Sequence, residues 1–113
     1  MTTAATKFRF SFRVPLHAAE ECKKAIFKEG AGRYPGPGQY TECCFSSTGT
    51  GQFRPGHTAN PNIGSVGKLE QVPEMRIETL CVGEDVMRRV VEALKRAHPY
   101  EEPSYEVVRL ENF

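Results

Sequence analysis

No stretch of about 18 consecutive apolar residues occurs in the 113-residue chain, so no helix here is built to cross a bilayer. The start, Met1 to Thr6, is small and polar and lacks the apolar core of a signal peptide. It is expected to be disordered. Excess charge of either sign is also missing. Fifteen basic side chains face fourteen acidic ones, and no basic run interleaves with aromatics. Nucleic acid and anionic membrane are therefore not expected partners. Cysteine is sparse: Cys22, Cys43, Cys44 and Cys81 show no Cys-x-x-Cys spacing. A zinc or redox site has little support, and four thiols without an export signal read as reduced side chains in a cytoplasmic protein.

What is present suggests a single domain over residues 7–113. Phe8, Phe10, Phe12 and Val14 alternate with Lys7, Arg9, Ser11 and Arg13, the pattern of a half-buried strand. Pro15 ends it. Leu16, Ala19, Cys22, Ile26 and Phe27 then fall at helical spacing, with Gly30 as the stop. Nine of the ten glycines lie between Gly30 and Gly67, which excludes a long helix there. Tyr40 to Ser47 is expected to be a strand, Gly51 to Arg54 a short strand or hairpin arm, and Arg54 to Gly64 an irregular loop. Met75, Ile77, Thr79 and Cys81 alternate again, with Pro73 expected to break or bulge the run. Met87, Val90, Val91, Leu94 and Ala97 form the apolar stripe of a second helix. Glu84 and Asp85 open that helix and Lys95, Arg96 and His98 close it, complementing its dipole. Tyr105 to Leu110 is the last strand. The order predicts an α+β, ferredoxin-like βαββαβ fold: an antiparallel sheet, two helices on one face, and an extra hairpin.

Gly51 to Thr58 nearly fits a nucleotide phosphate loop, but His57 stands where lysine is required and Ala59-Asn60-Pro61 cannot open the necessary helix. Ser46, Ser47, Thr48, Gly49 and Gly51 read as a tight turn whose amides and hydroxyls suit a small anion, with Arg33 and Arg54 as charge donors. His57, His98 and Glu101 form the candidate hard-metal set, if they meet between subunits. Pro99 and Pro103 stop the second helix and impose an extended elbow, His98-Pro99-Tyr100-Glu101-Glu102-Pro103-Ser104-Tyr105. Rigid tyrosines beside prolines suit a subunit contact or packing within one chain.

Five motifs follow one another: Gly30 to Arg33, Cys44 to Gly56, Ala59 to Gly64, Val66 to Glu70 and Ala97 to Pro103. In this order they resemble the YqfO-type domain, the module inserted into many bacterial proteins of the NGG-one-interacting-factor-three-like family. The elbow also resembles a motif near the end of CutA-like proteins. The resemblance covers residues 7 to 110. It implies a PII-like or CutA-like fold and a homotrimer. The trimer is expected to close through sheet edges and through His98, Pro99, Tyr100, Glu101, Glu102, Pro103 and Tyr105. The family's two-metal site belongs to a larger flanking domain, so its ligands have no positions here and no cofactor is expected. The expected function is a non-catalytic module for small-ligand sensing, regulation or scaffolding. The alternatives are a metal-binding protein and an enzyme acting on a small phosphate or nucleotide.

Overall fold

The computed structural model describes residues 5–113. Of the expected disordered start, residues 1–4 lie outside them. Thr6 is tied down, since its carbonyl accepts the Gly83 N–H at 2.7 Å. The elements run β1 (Lys7–Pro15), a 3-10 turn (Leu16–Ala18), α1 (Ala19–Lys28), β2 (Cys44–Phe53), β3 (Glu70–Val82), α2 (Glu84–Ala97) and β4 (Tyr105–Leu110). The sheet order is β2-β3-β1-β4 with every pairing antiparallel. This is the expected α+β, ferredoxin-like arrangement.

The alternation in β1 decides which face is covered. Phe8, Phe10 and Phe12 pair with Cys81, Thr79 and Ile77, so all six side chains share one face. That face packs against Cys22 and Ile26 of α1 and Met87, Val90 and Leu94 of α2. Phe10, Phe12, Val14, Ile26, Ile77 and Leu94 are wholly buried. Burial pushes the Cys22 and Cys81 thiols up to about 11 and about 12, which leaves them as inert core side chains. The opposite face carries Arg9, Arg13, Arg76 and Glu78, joined by Arg9–Glu78, Arg76–Glu78 and Arg13–Glu106 ion pairs.

Three local expectations need correction. Leu16 is exposed rather than part of the buried stripe, because a 3-10 turn precedes α1 and rotates it outward. Ser46 to Gly51 is not a turn. It is the middle of the ten-residue strand β2, whose pairing runs without a break from Cys44↔Thr79 to Phe53↔Glu70. Pro73 does not break β3, because β1 ends opposite Glu74 and leaves β3 with a free side at that point. The extra hairpin is therefore no separate strand pair. It is the end of β2 and β3, projecting past β1 as a two-stranded ribbon.

Candidate functional site

Beneath that ribbon the elbow crosses the end of β1. His98 closes α2 by donating its N–H to the Leu94 carbonyl at 2.8 Å and turns extended. Its ring is buried. Nε2 lies 2.7 Å from the Arg13 carbonyl, an acceptor only, so Nε2 carries the proton. Nδ1 then accepts the Tyr100 N–H at 3.1 Å. Burial lowers the pKa of His98, outweighing the opposing effects of the Arg13 carbonyl and Glu74. The imidazole is a neutral cross-brace between α2 and β1.

Tyr100 packs its ring 4.9 Å from His98 and 5.8 Å from Phe53. Its hydroxyl donates to Glu74 Oε2 at 2.8 Å. Burial and the Glu74 carboxylate hold that phenol well above its usual range. Glu74 has room to do this because Gly51 lacks a side chain: a Cβ there would lie 2.1 Å from Glu74 Oε1. Farther along the elbow, Glu101 Oε1 accepts the Asn60 N–H at 3.0 Å. Arg54 Nη1 donates to the Gly67 carbonyl at 2.8 Å, and the Gly67 N–H donates to the Pro55 carbonyl at 2.9 Å. These bonds fold the 54–69 connection over the elbow.

The result is a cleft of about 240 Å³. Phe53 and Tyr100 form an aromatic wall, Pro61 and Ile63 an aliphatic one, and Arg54 and Glu102 add charge. Three of the sequence motifs, distant along the chain, converge here. The cleft offers surfaces for binding rather than an acid–base pair. Both His98 nitrogens are engaged, and the Tyr100 phenol is held protonated.

The predicted site residues fare differently. Arg54, Tyr100, Glu101 and Glu102 line the cleft. Arg33 does not join Arg54. It stands near the start of β2, and a ten-residue strand separates the two by about 30 Å, so they cannot grip one small anion. Ser47, Thr48, Gly49 and Gly51 border a separate hollow of about 240 Å³ with Arg13, Arg76 and Glu74. Ser46 pairs with Ile77. The amides expected to cradle an anion belong to an extended strand, which lacks the concave turn such binding needs.

Within the protomer His98 is buried, and both of its ring nitrogens are engaged in hydrogen bonds. His57 and Glu101 are exposed, and within one protomer the described residues contain no group of three such ligands. Of the other residues assigned to a subunit contact, Pro99 and Pro103 are half-buried beside the bonded Tyr100. Tyr105 packs 6.0 Å from Phe10 at the core margin. The elbow thus directs most of its contacts inward. Glu74 and Asn60 were missed, because only a folded chain shows which carboxylate and which amide reach the elbow.

No family model matches the chain. It is 40% identical over 111 residues to a GTP cyclohydrolase 1 type 2 homolog of Halalkalibacterium halodurans, covering 98% of this chain and 29% of that protein. A protein of the same description from Bacillus subtilis is 41% identical over 98 residues, covering 87% and 25%. The chain therefore spans between 20% and 29% of the length of the curated relatives it matches. A Bacillus cereus protein related to NIF3 superposes with a TM-score of 0.79 at 40% identity, over 98% of this chain and 27% of that one. The divalent cation tolerance protein CutA from Archaeoglobus fulgidus shares the fold at 16% identity, with a TM-score of 0.64 over 95% of this chain and 86% of that one. The five ordered motifs and the four-stranded sheet with its projecting ribbon lead to one assignment: the chain is a YqfO-type, NIF3-related module with a CutA- and PII-like fold.

Proposed function

We propose that this chain is a non-catalytic, self-associating module, assembled as a homotrimer, for small-ligand sensing, regulation or scaffolding. One observation carries the reading: among the described residues, both helices cover the same face of the sheet and leave the other uncovered. On that open face Phe45 and Val108 are 70% and 52% exposed, flanking the ion-paired arginines. Among the described residues the sheet also ends in two unpaired edges, β2 and β4. Exposed apolar side chains and free edges favour closure against further copies. The elbow shapes the protomer, and its cleft is the place for a small ligand. The reading keeps the cytoplasmic location expected from four unpaired thiols. The cyclohydrolase-related names belong to proteins of which this chain matches only a part, so they place no chemistry in this part.

Light scattering over the micromolar range tests the assembly. The expected mass is three times 12.6 kDa. Combined Phe45→Glu and Val108→Glu substitutions should reduce it while leaving the circular dichroism spectrum unchanged. A wild-type monomer at all concentrations, or a double variant that stays assembled, would contradict the reading.

A further inference from the structure

One sequence motif, Gly30 to Arg33, and the beginning of another, Cys44 to Gly56, lie outside the elbow cleft. They meet instead beside α1, in a groove of about 810 Å³, within the range of small-molecule pockets. Gly32 makes the meeting possible. Its φ is 76°, its N–H donates to the Leu80 carbonyl at 2.7 Å, and its own carbonyl accepts the Cys43 N–H at 3.0 Å. A Cβ at Gly32 would lie 2.7 Å from both the N and the O of the Cys43 backbone, so glycine alone permits the approach. Arg33 and Cys44 are thereby placed beside the same face of α1.

That face supplies Lys23, Lys24 and Lys28. The groove thus holds four cations against two carboxylates, Glu20 and Glu42, in a chain whose net charge is only +1. Lys23 is paired with Glu20 at 3.1 Å. Among the described residues Lys24, Lys28 and Arg33 make no ion pair. Phe27 adds an apolar wall, and Cys44 stands exposed at the margin.

We infer that this groove is an anion site for a small phosphate-bearing molecule, held by Lys24, Lys28 and Arg33. Several unpaired cations lining one concavity concentrate a compact polyanion more strongly than a single charge does. Arg33 adds a planar fork suited to phosphoryl oxygens. The site lies on the helix side of the sheet, opposite Phe45 and Val108, and its test reads Cys44 alkylation rather than mass.

Cys44 reports on occupancy. Its alkylation by iodoacetamide, followed by peptide mass spectrometry on the full chain, should slow at least threefold with millimolar tripolyphosphate. Sodium chloride of equal ionic strength controls for screening. Lys24→Gln, Lys28→Gln and Arg33→Gln replace exposed side chains and should leave the fold intact. Combined, they should abolish the protection. Equal slowing by sodium chloride, no slowing at all, or full protection in the triple variant would overturn the assignment.

Discussion

The hydroxyl of Tyr100 donates to the carboxylate of Glu74 across 2.8 Å, joining the elbow to the projecting ribbon. Gly51 on the neighbouring strand leaves the space that this carboxylate occupies. Tyr100→Phe keeps the ring against His98 and Phe53 but strands a half-buried carboxylate. A hydrogen bond to a charged group contributes about 1.5–3 kcal/mol. We expect urea denaturation to show a loss near the lower end of that range, since the site is only partly buried. Unchanged stability would mean that water replaces the hydroxyl.

Gly51→Ala should act through the same bond. The new Cβ meets the far end of the Glu74 side chain, which is free to swing away and abandon Tyr100. The cost should resemble that of Tyr100→Phe. The two should not add, so the double variant should lose about as much as either single one. Full additivity in a double-mutant cycle would separate the two effects.

Acid should weaken the fold through His98. Its pKa is lowered from the ordinary imidazole value of 6.5, with burial as the leading cause. Above that value both the folded and unfolded states hold it neutral. Below it the unfolded chain takes up a proton first, so stability falls as pH drops from 6.5 toward the lower folded value. A proton on Nδ1 would also confront the Tyr100 N–H. Urea midpoints between pH 7.5 and 5.5 should decline in the wild type. In His98→Gln the starting stability should be lower and the decline shallower. An identical slope in both proteins would assign the acid sensitivity to another group.

Phe10→Ala should cost about 3–5 kcal/mol, the range for removing an aromatic ring from a core. Phe10 has no exposed surface and packs 5.7 Å from Phe12 and 6.0 Å from Tyr105. Thermal and chemical denaturation measure this directly. A loss below about 1 kcal/mol would mean that its neighbours close over the cavity.

Gly32→Ala should be far more damaging than Gly36→Ala. At Gly32 the added Cβ meets Cys43 backbone, which cannot rotate aside, whereas at Gly36 nothing lies within 4 Å. A comparison of melting temperatures tests the ranking, and equal values would show that the Gly32–Cys43 approach is dispensable.

Much of the architecture was legible in the chain because it rests on local periodicity. The alternation Phe8, Phe10, Phe12, Val14 specifies a covered and an uncovered face whatever the partner strands are. The stripe Met87, Val90, Leu94 does the same for α2, and Pro99 ends that helix wherever it packs. The elbow's rigidity was equally visible. The errors lay where composition and environment disagree. Ser46 to Gly51 has the small and flexible residues of a turn, but β3 supplies a continuous ladder of partners and draws the segment into a strand. Pro73 looks like a break until β1 is seen to stop at Glu74.

By itself the sequence determined the periods, the breaks and the motif order, since these depend on each residue's own shape and polarity. Only the tertiary structure decided that His98 is an internal brace, that Glu74 reaches Tyr100, and that Arg33 and Arg54 stand at opposite ends of β2. Those are distances between residues far apart in the chain, and such distances exist only once the sheet has set its register and the helices have covered one face.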